Sequence, residues 1–350
     1  MNLKLLSMRN KYHHGVIQGG FTLVELMIAL VLGLVVIGGV ISVFLSNQQS
    51  YRTNQALGEV QDNSRTAFEF LARDIRNAGL TGCGNSGRVA NVLANSPNGG
   101  GADWWANWNN SVHGYDDTQA DPAVTTGSGV AERVANTDSI QLLGASDSGY
   151  TVDAPNSTTA QFKLNEPNAD LADGDIIIVC DPNQATIMQV TNYNVANVTV
   201  VHNAGSGSGT PGNCTKFMGY PTLIPCVVAN GTPYTYANNA QLAKLSAADW
   251  YIGNNPSGGR SLYRLAIKNI GGVPQNDPQE MVRNVTDMQI SYLARGASQF
   301  VLASAVANWL DVTAVQVTLT FQSTNQRAGT NVQPLTRQYT TTITLRNRVN

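Results

Sequence analysis

The chain is short of charge. Asp, Glu, Lys and Arg make up 13% of its 350 residues, and the formal net charge is −2. Proteins that neutralise rows of phosphates do so with clustered Lys and Arg, so nucleic acid is not expected as a partner. Cysteine and histidine are scarce, with four of each. There is no Cys-x-x-Cys, and His113 and His202 stand alone in polar segments, so no metal site is expected. The Gly-x-Ser-x-Gly elbow and the His-Glu-x-x-His helix are also missing. No catalytic residue can be nominated, and neither an enzyme nor a cofactor is expected. Residues Gly82–Gly87 do spell Gly-x-Gly-x-x-Gly. The dinucleotide fingerprint needs a strand before it and a helix after it, whereas here a helical pattern precedes and a loop follows. Finally, no apolar run long enough to span a bilayer occurs outside residues 21–45.

That one run has unusual flanks. Residues 1–20 carry Lys4, Arg9 and Lys11 and no acid. By the positive-inside rule this end stays cytoplasmic and the rest of the chain is exported. An ordinary secretory signal is cut after its apolar segment, at small residues. Here the segment ends Val43-Phe44-Leu45-Ser46, with no such site. The expected scissile bond therefore lies before the run, at Gly20–Phe21, and cleavage leaves the hydrophobic segment on the mature chain. Loss of the three basic residues takes the net charge from −2 to −5. Phe21–Leu45 would make a helix of about 37 Å, enough for a bilayer core of about 30 Å with some tilt. Glu25 interrupts it. A charge inside hydrocarbon costs about 2.5–3.5 kcal/mol on insertion scales, so it implies a partner.

Beyond Leu45 the pattern becomes amphipathic. Leu57, Val60, Ala67, Phe68, Leu71, Ile75 and Ala78 recur at spacings of three and four, with Ser64 filling the missing step. Residues 46–79 are therefore expected to extend the helix, with Gly79 as its cap. An exported β-rich body, 80–350, should follow. It opens with an irregular stretch, Asn85 to Gly129, that holds Trp104, Trp105 and Trp108. These read as a buried aromatic plug or as an exposed contact surface. Alternating runs then point to strands, the clearest holding Val315, Val317, Leu319 and Phe321. Residues 171–236 are expected to form a β-rich insertion lobe. The acidic turn Asp170, Asp173, Asp175 reads as a turn before a strand rather than a Ca²⁺ site, which needs about six to eight oxygens. Cys83, Cys180, Cys214 and Cys226 all fall in the exported part. Two disulfides are expected there. Three pairings are open, and a local Cys214–Cys226 loop with Cys83–Cys180 is the favoured one.

The segment Gly-Phe-Thr-Leu-Val-Glu-Leu (20–26) resembles the signal of type IV pilins. Arg73–Cys83, Gly174–Asp181, Val285–Tyr292 and Thr344–Val349 resemble PilW-type minor pilins, and the last two also fit the J-type pseudopilins of type II secretion. The resemblance departs where many pilins have a proline; here Ser42 stands. It implies an α+β pilin-like fold, with a long N-terminal helix, transmembrane then amphipathic, packed on an antiparallel sheet. It also implies a membrane prepilin peptidase that cuts after Gly20 and methylates the amine of Phe21. Glu25 would pair with the N-terminal amine of a neighbouring subunit. The expected role is a minor pilin that helps initiate pilus assembly, anchored in the inner membrane with a periplasmic body and later at the pilus tip. Its partners would be other minor pilins, the major pilin and a tip adhesin, in fibres that serve cell adhesion or twitching motility. The alternatives are a J-type pseudopilin or a pilus-associated adhesin.

Overall fold

The computed structural model describes residues 19–350 except 84–86, 147–148, 157–159, 168–169, 208, 330, 332 and 349–350. Residues 1–18 of the expected leader, the centre of the Gly82–Gly87 stretch and the last residue of the Thr344–Val349 segment lie outside the described residues. The chain divides into two compact units, 1–54 and 55–350. The helix α1 runs Leu23–Asn77 and continues unbroken through Gly33, Gly38, Gly39 and Ser42.

Within the first unit the apolar side chains from Leu23 to Leu45 are exposed, each between 52% and 74%. Among the described residues, α1 is the one helix long and apolar enough to cross a membrane. Its apolar surface has no protein core to enter, as expected for a segment apolar all round.

In the second unit, α1 buries a narrow stripe: Ala56, Val60, Ser64, Ala67, Leu71 and Ile75. These steps of three and four follow the helix period. Leu57 and Phe68, expected on the same stripe, are only partly buried at its margins. The helix stops at Gly79, whose φ of +76° is easy for glycine alone. Its N–H donates to the Leu143 carbonyl at 2.7 Å, and its carbonyl accepts from Asn347 Nδ2 at 2.8 Å. Gly144 lets a strand touch this end: a Cβ there would lie 2.5 Å from the Asn77 carbonyl oxygen.

The strands are β1 (Val89–Asn91), β2 (Val112–Tyr115), β3 (Ser139–Ala145), β4 (Tyr150–Asn156), β5 (Gln161–Leu164), β6 (Ile176–Cys180), β7 (Ala185–Gln189), β8 (Asn192–Asn194), β9 (Thr199–Val201), β10 (Gln241–Asn254), β11 (Arg260–Ile270), β12 (Val273–Arg283), β13 (Val285–Ala294), β14 (Val312–Gln322) and β15 (Thr336–Thr344). Among the described residues they form a 12-stranded sheet and a three-stranded sheet, β13-β14-β15. Pairing is antiparallel except between β1 and β7. The long β10 joins the parts of the large sheet. Its first half pairs with β6 and β4, and its second half with β3 and β11.

Alternation on β14 sends Val315, Val317, Leu319 and Phe321 inward. They meet Met288 and Ile290 of β13, Trp250 of β10 and the stripe of α1 in one core. A second core gathers Val152, Phe162, Ile177, Val179, Met188 and Tyr236. Residues 171–236, the expected insertion lobe, contribute to this second core. Their strands β6 and β7 are nevertheless built into the large sheet through β10. Trp104 and Trp105 are buried beside Ile178 and Tyr251 in a third core, while Trp108 is only partly buried at its edge.

Candidate functional site

The N-terminal residues form a site with its own internal geometry. Gly19 to Thr22 precede the helix, which begins at Leu23. Thr22 stands at the N-cap position. Its Oγ1 accepts from the Glu25 N–H at 3.2 Å, and Glu25 Oε2 accepts from the Thr22 N–H at 3.1 Å. The Thr22 hydroxyl also donates to Glu25 Oε2 at 3.0 Å. This reciprocal arrangement is a capping box, and it satisfies two orphan donors of the helix end. The carboxylate lies at the positive end of the helix dipole. It is folded back onto Thr22, the residue immediately before the helix. The Thr-x-x-Glu spacing ahead of an apolar run is a readable signal for this box, although Thr22 is not among the site residues expected from the sequence.

Gly20 has no structural reason to be glycine. A Cβ built there meets nothing within 4 Å, and its φ is not left-handed. Phe21 is 88% exposed. Any demand for Gly20 and Phe21 therefore comes from a molecule that acts on this segment, not from the chain's own fold.

The body is tied at the helix exit. Cys83 is bonded to Cys180 at the end of β6, and Cys214 to Cys226 across a loop; there is no free cysteine. Asp74 Oδ2 on α1 accepts from Trp250 Nε1 at 2.9 Å and from Arg264 Nε at 2.7 Å. One carboxylate thus joins the helix to β10 and β11. The partners lie 176 and 190 residues away, which is why no local pattern discloses them.

The acidic turn is occupied by protein. Lys244 Nζ lies 3.1 Å from Asp175 and 3.5 Å from Asp170. Burial opposes the Lys244 charge, but these carboxylates outweigh it and raise the pKa. Asp173 accepts from the Tyr193 N–H and from Asn192 Nδ2. Among the described residues there is no group of three or more His, Cys, Asp or Glu that could hold a metal. The fully buried Asp249 is pushed well above the carboxylate range by burial and then by the negative charge of Asp121. Asp121 itself accepts from Gln141 Nε2, from the Ala123 N–H and from Ser139 Oγ. These groups are buried in the interior.

Two family models match the chain. Residues 249–347 match Type IV Pilus-assembly protein W, and residues 17–41 match the Prokaryotic N-terminal methylation motif. The first covers the end of β10 through β15, including the three-stranded sheet on which α1 packs; the second covers Gly20, Phe21 and Glu25. No curated protein and no solved structure matches the chain.

Proposed function

For this chain, a PilW-type pilin that carries a prepilin signal, we propose a role in starting type IV pilus assembly, from a place in the complex at the pilus tip. It is a membrane-anchored minor pilin, processed by prepilin peptidase and interacting with other pilins. In this proposal the peptidase cuts after Gly20 and methylates the amine of Phe21. The body faces the periplasm until assembly, and the other minor pilins, the major pilin and a tip adhesin are its partners.

The observation that carries this reading is the capping box at Thr22 and Glu25 on a helix whose large apolar side chains from Leu26 to Leu45 are all exposed. A carboxylate held at the helix start is placed to pair with the amine of a neighbouring subunit when apolar helices bundle. An ion pair in such surroundings offsets much of the cost of each lone charge. The tip position is supported by the size of the body. A helical fibre repeats one heterologous contact, so every subunit must leave room for its neighbours. The 12-stranded sheet and its loops crowd a shaft lattice but not a tip, which has one open side.

Gene deletion should sharply reduce the number of pili per cell while leaving the remaining fibres of normal length. Gold-labelled antibody against the body should mark fibre ends. Labelling spread along the shaft would overturn the tip assignment, and unchanged pilus number would overturn the initiating role.

A further inference from the structure

The side of the body that carries β1 holds a cleft that the pilus reading leaves unused. Its volume is about 150 Å³, and its lining includes Trp108, Tyr220, Asn98, Asn107, Asn109 and Thr222. Clefts that take drug-sized molecules run to about 300–1,000 Å³, so this one suits a single small ring. None of its lining residues is charged. Its walls combine two aromatic rings with amides and a hydroxyl, groups that both donate and accept.

We propose that this cleft is a binding site for a neutral pyranose sugar. The C–H groups on one face of a pyranose carry a slight positive charge and pack against the negative face of an aromatic ring. Its hydroxyls need partners that can donate and accept at once, as carboxamides do. A charged ligand would need an opposite charge in the wall, and the cleft has none. Trp108 is partly buried against the third core, which fixes its ring. Arg88 lies over the Tyr220 ring at 5.6 Å and props it from outside the cleft lining.

The walls are held before any ligand arrives. The Asn91 N–H donates to Thr222 Oγ1 at 3.0 Å, and the Tyr220 N–H donates to Gln184 Oε1 at 3.0 Å. Asn98 Nδ2 donates to the Asn91 carbonyl at 3.3 Å, and the Asn98 carbonyl accepts from the Cys226 N–H at 3.2 Å. The Cys214–Cys226 bond closes the loop that carries Tyr220 and Thr222. By contrast, the side chains of Asn107 and Asn109 form no hydrogen bond within the described structure, although the Asn107 carbonyl accepts from the Asn110 N–H at 2.9 Å in the 3₁₀ turn that holds Trp108. The framework is satisfied, and the amides at the mouth are left free. Such preorganisation lowers the cost of binding.

The test uses the full mature chain in lipid nanodiscs, because maltoside detergents would compete. Saturation-transfer difference NMR is recorded with the methyl glycosides of glucose, galactose, mannose and N-acetylglucosamine. The expected result is transfer to the C–H protons of at least one sugar, reduced tenfold or more by Trp108→Ala and by Tyr220→Leu. Asn109→Ala reads the same site at an exposed position, and a several-fold loss is expected there even if Trp108→Ala fails to fold. No transfer from any sugar at millimolar concentration would overturn the proposal. So would transfer undiminished by Tyr220→Leu and Asn109→Ala. Because binding is read on isolated protein, the result is independent of pilus number, and failure here is distinguishable from failure of the assembly role.

Discussion

Glu25 does two things in the arrangement described above, and they can be separated. It closes a capping box with Thr22, and it supplies a negative charge at the start of an apolar helix. Glu25→Gln keeps the box, because Gln serves at that position as Glu does, but it removes the charge. Thr22→Val keeps the charge but removes the cap. Glu25→Leu removes the charge and the Glu25 half of the box, while the Thr22 hydroxyl can still accept from the backbone N–H at position 25. A lost N-cap costs about 0.5–2 kcal/mol, and here it is spent at the end of a 55-residue helix whose buried stripe begins only at Ala56. The body, with its own cores, should be untouched. Removing one partner from a buried ion pair costs about 3–5 kcal/mol. At about 1.4 kcal/mol per factor of ten, that is a loss of roughly two to three and a half decades in association. The assay is co-purification of tagged full-length variants with their partner pilins from solubilised membranes, with mature N-terminal mass read in parallel. Glu25→Gln and Glu25→Leu should both be processed and both lose their partners, whereas Thr22→Val should stay within a few-fold of wild type. If Glu25→Gln associates normally while Thr22→Val fails, Glu25 acts as a cap and not as a charge, and the ion-pair argument is refuted.

Other outcomes can be stated from the same structure. Gly20→Val should leave an unprocessed membrane precursor with a normally folded body, since a Cβ there meets nothing within 4 Å; normal mature protein by mass spectrometry would count against cleavage at this bond. The two disulfides close spans of 97 and 12 residues, for which the chain-entropy relation gives about 4.7 and about 2.8 kcal/mol. In urea unfolding followed by tryptophan fluorescence, Cys83→Ala/Cys180→Ala should therefore be the less stable double variant, and the reverse order would contradict the relation. Burial pushes His202 down to about 4 from its ordinary 6.5. The unfolded chain then binds the extra proton between those values, so this contribution to stability is lost as pH falls through that window, and His202→Gln should flatten the pH dependence of stability there.

The helix was legible because its signals are local. A basic leader, a Gly20–Phe21 junction, an apolar run and a stripe of period 3.6 lie within the first eighty residues, and each reports its own physics. Strands with clean alternation, such as β14, were legible for the same reason. Others were not. β10 (Gln-Leu-Ala-Lys-Leu-Ser-Ala-Ala-Asp-Trp-Tyr-Ile-Gly-Asn) is rich in alanine and carries Lys244 and a buried Asp249. It is a strand because it is paired on both sides, and tertiary context overrides its weak local preference. β12 holds Pro274 and Pro278, which argue against a central strand but are tolerated on this one because, among the described residues, it pairs with β11 alone.

The sequence by itself pointed to the class of the protein, to its long apolar segment and to Gly20–Phe21 as the expected bond of cleavage. These follow from short-range chemistry: cleavage, insertion into lipid and helix capping all read neighbouring residues. Only the tertiary structure decided that Asp74 ties the helix to Trp250 and Arg264, that Lys244 fills the acidic turn, and that residues 171–236 share the main sheet. Only the structure brought Trp108 beside Tyr220 around one cleft. Each of these joins residues far apart in the chain. Which distant groups meet is set by strand order and by the packing of side chains into the buried cores, and no single stretch of sequence carries that information.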